Sequence, residues 1–246
     1  SSSHIINNKE YYVKKGDIFV INNDSLHRYK QPNNFTICNI CYQKKHLLKY
    51  ENNLRKSPGF QSLFVLEPFF RTKYKFENIM NLNYKKLDYV HDLIKVMLKE
   101  YKNQEKNFNI KLDIYFRSLL MYLSKQIINE GNKRDINSSS KILNFAQTIS
   151  YIEKNFMTDL KVKDLAEKSS YSKRHFIRLF KKIYNTTPNN YINKLRINYA
   201  CSLLEETEKN ITEIALKSGF SNGNYFSRCF KKNMGITPSN YREINN

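Results

Sequence analysis

"YSKRHFIRLFKKIYNTTPNNY" (171–191) and "FSNGNYFSRCFKKNMGITPSNY" (220–241) align aromatic for aromatic and lysine for lysine. Tyr171 answers Phe220 at a spacing of 49, whereas Phe176 and Phe226, Arg178 and Arg228, Phe180 and Phe230, and Pro188 and Pro238 pair at 50, so one residue is gained between Ser172 and Phe226. Leu165-Ala166 likewise answers Ile214-Ala215 at 49. The repeating unit therefore runs from about Val162 to Tyr191 and again from Ile211 to Tyr241. Two copies fall short of the roughly three that a solenoid needs, so the pattern reads as a duplicated helical module.

Each copy has the order short helix, turn, second helix, which is that of a helix-turn-helix, with Ser170 and Gly219 in the turns. In the first unit the second helix is capped by Ser172 and buries Phe176, Leu179, Phe180 and Ile183 at 3/4 spacing. Lys173, Arg174, Ile177, Arg178 and Lys181 are left on the opposite face. In the second unit Phe226, Phe230 and Met234 are expected to turn inward and Asn224, Ser227, Arg228 and Lys231 outward, with Asn222 and Tyr225 at the helix start. Arg and Asn suit the edges of guanine and adenine, and Lys suits phosphates. A charged helical face is ordinarily a solvated surface, but here it occurs twice, each time on the second helix of a helix-turn-helix. The helix opened by Pro188 and running to about Glu206 joins the units; at 1.5 Å per residue it spans roughly 28 Å. That approaches the roughly 34 Å between successive major-groove turns on one face of DNA.

With 246 residues and 40% hydrophobic content the chain is long enough for two modest domains. Its net charge of +20 suits a polyanionic partner, yet the excess is spread along the chain: 18 Lys+Arg against 9 Asp+Glu in 141–246, and 24 against 13 in 1–140. A general richness in Lys, Asn, Ile and Tyr is an alternative source of that charge. Cys38, Cys41, Cys201 and Cys229 read as reduced thiols. Cys38 and Cys41 form a C-x2-C, but within the alternating run "FTICNICY" an odd separation puts them on opposite faces of a strand, and no second pair completes a zinc site. No stretch of eighteen apolar residues and no signal peptide appears, so the chain reads as soluble and cytoplasmic, away from membranes. It opens on "SSSHII", without Met and directly in strand-like sequence, and so reads as a fragment at its N-terminus.

Upstream of the repeat, short β-like runs alternate with turns from Ile5 to about Tyr42: "EYYVKKGDIFVINND" gives two strands around Lys15-Gly16-Asp17, and "FTICNICY" another. From Leu82 the period becomes helical. Leu87, Val90, Ile94, Met97 and Tyr101 define one helix (87–101), and Leu112, Phe116, Leu119, Leu123 and Ile127 a second (111–128). Their apolar stripes serve either as core or as a dimer seam, with Leu119 and Leu123 at its centre. "GNKRDINSSSK" (131–141), without apolar periodicity, reads as a linker between a domain over 1–130 and another over 142–246. The second is expected to be all-α with seven helices, beginning with the one set by Ile142, Phe145, Ile149, Ile152 and Phe156. The fold class is α+β.

The C-terminal stretch "ITEIALKSGF" followed by "YFSRCFKKNMGITPSNYR" resembles the signature of the AraC/XylS transcription regulators. "LAEKSSYSKRHFIRLFKKIYNTTPNNYINKLRINYACSLLEE" resembles the first half of the same domain, and the likeness covers about residues 142–244. It implies two recognition helices entering successive major grooves of double-stranded DNA. The family's base-contacting positions fall on Lys173, Arg174, Ile177 and Arg178, then on Asn222, Gly223, Asn224, Tyr225 and Arg228. Ser172, Lys181, Lys182, Ser227, Lys231 and Lys232 are expected to meet phosphates. Two departures stand out: Asn185 where Gly is usual, tolerable because Asn visits left-handed backbone, and Asn222 where Asp is common. "YYVKKGDIFVINNDSLHRY" with "FTICNICY" is similar to the latter strands of that family's cupin-like sensor barrel, and "LRKSPGFQSLFVLEPFFR" to a segment of its rhamnose-responsive branch. The resemblance implies a partial barrel that senses a small effector, a carbohydrate or relative of one, in a homodimer that acts with RNA polymerase and has no cofactor, metal or reaction of its own. The rival is a cupin-type enzyme with an accessory DNA-binding tail, whose metal would need several His/Glu ligands. The strand region offers His4 and His27, at a spacing unsuited to a ligand pair. Non-specific coating of nucleic acid by charge is a third reading.

Overall fold

The computed structural model describes residues 2–22, 25–30, 36–42, 51–73, 80–131 and 139–245. The chain divides into two compact units, Ser1–Ala146 and Gln147–Asn246.

In the first unit β1 (Ser2–Ile6) and β2 (Lys9–Val13) form an antiparallel hairpin. Asn7 and Asn8 between them both adopt positive φ (47° and 65°), the geometry of the two-residue turn whose twist matches flanking strands. β4 (His27–Lys30) pairs on the other side of β1, giving the order β2-β1-β4. β3 (Asp17–Ile18) pairs with distant β5 (Met80–Asn81). The described strands form a three-stranded sheet and a separate pair, and among the described residues no closed barrel is present. The expected strand "FTICNICY" is not one over its described part, 36–42. Its alternation is genuine, but among the described residues no strand pairs with it. Cys38 and Cys41 are both exposed, not divided between a buried and an open face.

α1 (Glu51–Arg55) precedes a continuous helical run made of α2 (Pro58–Phe60), a π-helical stretch (Gln61–Leu66) and α3 (Glu67–Lys73). Gly59 lies where the run meets the next helical pair: a Cβ there would stand 1.8 Å from the Ser124 carbonyl oxygen. The pair itself is the expected hairpin, slightly longer than its apolar stripes: α4 (Tyr84–Asn103) and α5 (Phe108–Gly131). Asn83 caps α4 by accepting from the Lys86 N–H, and Gln104 ends it in the left-handed region. The core gathers Val20, Leu63, Met80, Leu82, Val90, Leu119 and Leu123, with Leu54, Phe60 and Leu120 beside it. Leu119 and Leu123, expected as a seam, are only 4% and 6% exposed and belong to this core. Exposed apolar residues of the hairpin include instead Leu98, Tyr101, Ile110, Ile114 and Met121.

The β1–β4 pairing brings His4 and His27 together, Nε2 to Nδ1 at 3.1 Å, contrary to the reading from their spacing; antiparallel pairing makes neighbours of residues 23 apart. His4 is 1% exposed, stacked on Tyr29 (centroids 4.2 Å apart) and edge-on to Phe19 (4.8 Å). Arg71, over Phe19, is held by the buried Glu67 carboxylate, which accepts from its Nε at 2.7 Å. Burial pushes the Glu67 carboxyl up to about 7 while the guanidinium acts against that rise. Burial first, then the charges of His27 and Arg71, push His4 down to about 4. Because the unfolded chain takes the His4 proton near 6.5 and the folded chain only near 4, its contribution is intact above pH 6.5 and lost as pH falls through that window. In urea unfolding followed by circular dichroism, the native chain is expected to lose stability relative to His4→Phe between pH 6.5 and 4.5. A difference that stays constant across that range would contradict a buried neutral imidazole.

The second unit is all helical: α6 (Ser139–Asn155), inside which the division between units falls, then α7 (Val162–Lys168), α8 (Lys173–Tyr184), α9 (Pro188–Glu206), α10 (Ile211–Lys217), α11 (Gly223–Met234) and α12 (Pro238–Asn245). Seven helices thus stand among the described residues. Residues 132–138 of the expected linker lie outside the described residues, and α6 starts at Ser139, upstream of the expected Ile142.

Candidate nucleic-acid interface

The two helix-turn-helix units are built alike, down to single hydrogen bonds. After α7 the Ser170 N–H donates to the Glu167 carbonyl (2.9 Å) and the Tyr171 N–H to that of Ala166 (3.0 Å); after α10 Gly219 donates to Leu216 (3.0 Å) and Phe220 to Ala215 (2.9 Å). Both bonds satisfy carbonyls that the helix end leaves orphaned, and both require a left-handed residue, Ser170 (φ 60°) and Gly219 (φ 88°). The second recognition turn carries an extra constraint: a Cβ on Gly219 would stand 2.5 Å from the Met157 carbonyl oxygen and 2.7 Å from its Cα.

Aromatic packing repeats as well. Phe176, Phe180 and Tyr191 interlock in the first unit (5.7 and 5.3 Å), and Phe226, Phe230 and Tyr241 in the second (5.6 and 5.5 Å). Tyr191 donates its hydroxyl proton to Glu153 on α6, and Tyr241 to Glu205 on α9. Ile197, Ala200, Cys201 and Leu204 of α9 close the core over Ile214, Ala215, Phe220, Phe226 and Phe230. Asn185 ends α8 at φ 54°, as Gly235 ends α11 at φ 82°, so asparagine does take the left-handed position expected of it.

This scaffold fixes what α8 and α11 present. Ser172 caps α8 by accepting from the His175 N–H. Lys173, Arg174, Arg178, Lys181 and Lys182 are exposed, and Ile177 is half-buried. On α11 Asn224, Tyr225, Arg228, Lys231 and Lys232 are exposed, while Ser227 and Gly223 are half-buried. Phe176, Leu179 and Phe180 are buried as expected and Ile183 half-buried. Met234, expected inward, is 37% exposed; it stands at the last residue of α11. Neither α8 nor α11 contains an acidic residue, whereas α7 carries exposed Asp164 and Glu167 and α10 exposed Glu213. Among the described residues no carboxylate pairs with a cation of α8 or α11.

Two expected contact residues are engaged locally. The Asn222 Oδ1 accepts from the Asn224 and Tyr225 N–H groups (2.8 and 3.1 Å) and so caps α11, the role an aspartate would fill. The Tyr225 hydroxyl accepts from Asn193 Nδ2 on α9 at 2.9 Å. One turn along α9, Arg196 donates to the Phe156 and Thr158 carbonyls (2.7 and 2.8 Å) and lies over the Phe220 ring. Burial lowers its pKa, against the raising influence of Asp159 and Tyr225. Asn193 and Arg196 escaped the sequence reading because α9 is packed on several sides and shows no single apolar face.

Comparison with known proteins agrees with this geometry. A family model described as a helix-turn-helix domain matches residues 165–244. The HTH-type transcriptional activator RhaS of Mannheimia succiniciproducens is 28% identical over 242 residues, 98% of this chain and 83% of that protein. Its namesake from Escherichia coli O6:H1 is 25% identical over 98% of this chain and 81% of its own. Among solved structures, a transcriptional regulator from Chromobacterium violaceum described as having an AraC-type DNA-binding domain is 35% identical, with 44% of this chain and 96% of that one covered and a TM-score of 0.39. The DNA-binding domain of AdpA in complex with a target DNA is 24% identical, covering 41% and 91%, with a TM-score of 0.40. Among the described residues no helix is long and apolar enough to cross a membrane. With two helix-turn-helix units in its second half and transcriptional activators matching almost its full length, the chain is a DNA-binding transcription regulator whose residues 165–244 form an AraC-type helix-turn-helix domain.

Proposed function

We propose that α8 and α11 read bases in successive major grooves. Lys173, Arg174, Ile177 and Arg178 act in the first groove, Asn222, Asn224, Tyr225 and Arg228 in the second, while Ser172, Lys181, Lys182, Ser227, Lys231 and Lys232 hold phosphates. The observation that carries this reading is the pair of acid-free, cation-bearing helices, each the second member of a helix-turn-helix. The N-terminal region (1–130) is the sensing half, a partial cupin-like domain responding to a carbohydrate-like effector and controlling carbohydrate-utilisation genes with RNA polymerase. Near-full-length likeness to transcriptional activators supports that assignment. The exposed apolar residues Leu98, Tyr101, Ile110, Ile114 and Met121 support a homodimer through the outer face of the helical hairpin.

The DNA reading is tested by two cations on one helix. Arg174 is exposed in the first turn of α8, and Lys181 in its last. Arg174→Ala is expected to cost about 1–3 kcal/mol on the preferred site and flatten the preference at one or two base pairs. Lys181→Ala is expected to weaken all sequences alike and lower the salt slope by about 1. The measurement is binding to single-base variants of a selected site at several salt concentrations. Uniform losses from both substitutions would make Arg174 a phosphate clamp.

A further inference from the structure

Tyr225 is exposed on α11, yet it is held from three sides. Asn193 Nδ2 donates to its hydroxyl at 2.9 Å, the Phe220 ring packs against it with centroids 6.0 Å apart, and the Arg228 guanidinium lies over its ring, 6.0 Å from the centroid. Phe220 is itself covered by Arg196, 5.6 Å away and bonded to two carbonyls at the end of the first helix of the unit. The contacts form a chain from the linking helix to the outward face of the second recognition helix: Asn193, Tyr225, Arg228. In the first unit the residues answering Tyr225 and Phe220 are His175 and Tyr171, which stack on each other at 4.8 Å.

We propose that Asn193 is a positioning residue for DNA reading by α11, fixing the Tyr225 ring and, through that ring, the guanidinium of Arg228. An arginine side chain free to sample its rotamers loses them on docking; one laid over a fixed aromatic face loses fewer, so its contact is stronger and more selective. Because the Tyr225 oxygen accepts from Asn193, its own O–H remains to donate outward to the nucleic acid. The inference rests on the reading that α11 contacts bases, and it predicts that base preference in the second half of the site is set partly by a residue that never touches DNA.

The test is selection from randomised DNA by the full chain carrying Asn193→Ala, Tyr225→Phe, both together, Arg174→Ala or Arg228→Ala. The last two substitutions identify which base pairs belong to α8 and which to α11. Asn193→Ala, at a partly exposed helical site where alanine is a better helix former, is expected to keep the thermal midpoint. It should reduce discrimination at the α11 base pairs about 3- to 10-fold while leaving the α8 base pairs unchanged. Tyr225→Phe, which removes the Asn193 tie together with the outward O–H donor, should lose at least as much at the same base pairs, and the double variant should be no worse than Tyr225→Phe alone. Additive losses, an unaltered preference in Asn193→Ala, or losses shared equally by both halves would overturn the positioning role even if Arg228→Ala behaves as a base reader. If Arg228→Ala alters no preference, the base-reading assignment of α11 falls, and the role of Asn193 with it.

Discussion

Gly219→Ala is expected to destabilise the Gln147–Asn246 unit by about 2–5 kcal/mol, a larger loss than any single substitution on the recognition faces. Two costs add. Left-handed backbone at φ 88° costs a residue with a Cβ roughly 1–2 kcal/mol, and the new methyl would meet three backbone atoms of Met157 within 2.8 Å. Backbone cannot rotate aside as a side-chain tip can, so the turn or the end of α6 must shift, at a further cost of about 1–3 kcal/mol. Ser170→Ala provides the comparison: the same position of the first unit, also left-handed but exposed and already bearing a Cβ, is expected to change stability by under about 1 kcal/mol. Thermal unfolding of both variants measures the contrast. At roughly 4–8 °C per kcal/mol for a unit of this size, a drop of less than about 5 °C in Gly219→Ala would refute the close approach to Met157.

The second large effect concerns the helical hairpin. Leu119→Glu combined with Leu123→Glu is expected to unfold the Ser1–Ala146 unit rather than release a folded monomer. Both leucines belong to one core with Leu63, Met80 and Val90, and losing one such side chain alone costs about 2–5 kcal/mol before the burial of a carboxylate is considered. Circular dichroism and limited proteolysis should show lost helix and rapid cleavage upstream of Ala146. Ile114→Glu with Met121→Glu, at 57% and 63% exposure on the outer face of α5, should leave the fold intact. Light scattering on that variant is therefore the sound test of a dimer, and a folded protein from the Leu119/Leu123 pair would mean that the core is wrongly placed.

The C-terminal helices were legible because their signals are local. Caps at Ser172, Pro188 opening α9 and apolar residues three or four apart each act within one or two turns, and the duplication repeats every one of them. The N-terminal unit depends on pairings between distant segments, which periodicity does not report. β3 finds its partner 62 to 64 residues later in β5, and His4 meets His27 only through the register of β1 with β4. The run from Pro58 to Lys73 shows no clear helical stripe because it is covered on several sides and widens into a π-helical stretch. "FTICNICY" alternates like a strand, yet alternation specifies faces and not a neighbour to bond with. Similarly, the outward composition of α8 and α11 could be read from spacing, whereas the tie from Asn193 to Tyr225, across 32 residues, could not.

The placement of cations alone on α8 and α11, beside helices α7 and α10 whose charges balance, also bears on how fast a site is found. Cations unopposed on α8 and α11, with α7 and α10 neutral overall (Lys163 and Lys168 against Asp164 and Glu167, Lys217 against Glu213), make the domain's charge uneven as well as net positive. In the field of a polyanion such a body feels a torque before it feels a contact, so it tends to arrive with its recognition helices leading. A larger share of collisions is then productive, and a domain that slides or hops along the duplex stays turned toward the groove between steps. Added salt would erode that alignment within a Debye length of the surface, slowing the search by more than it shortens the life of the bound complex.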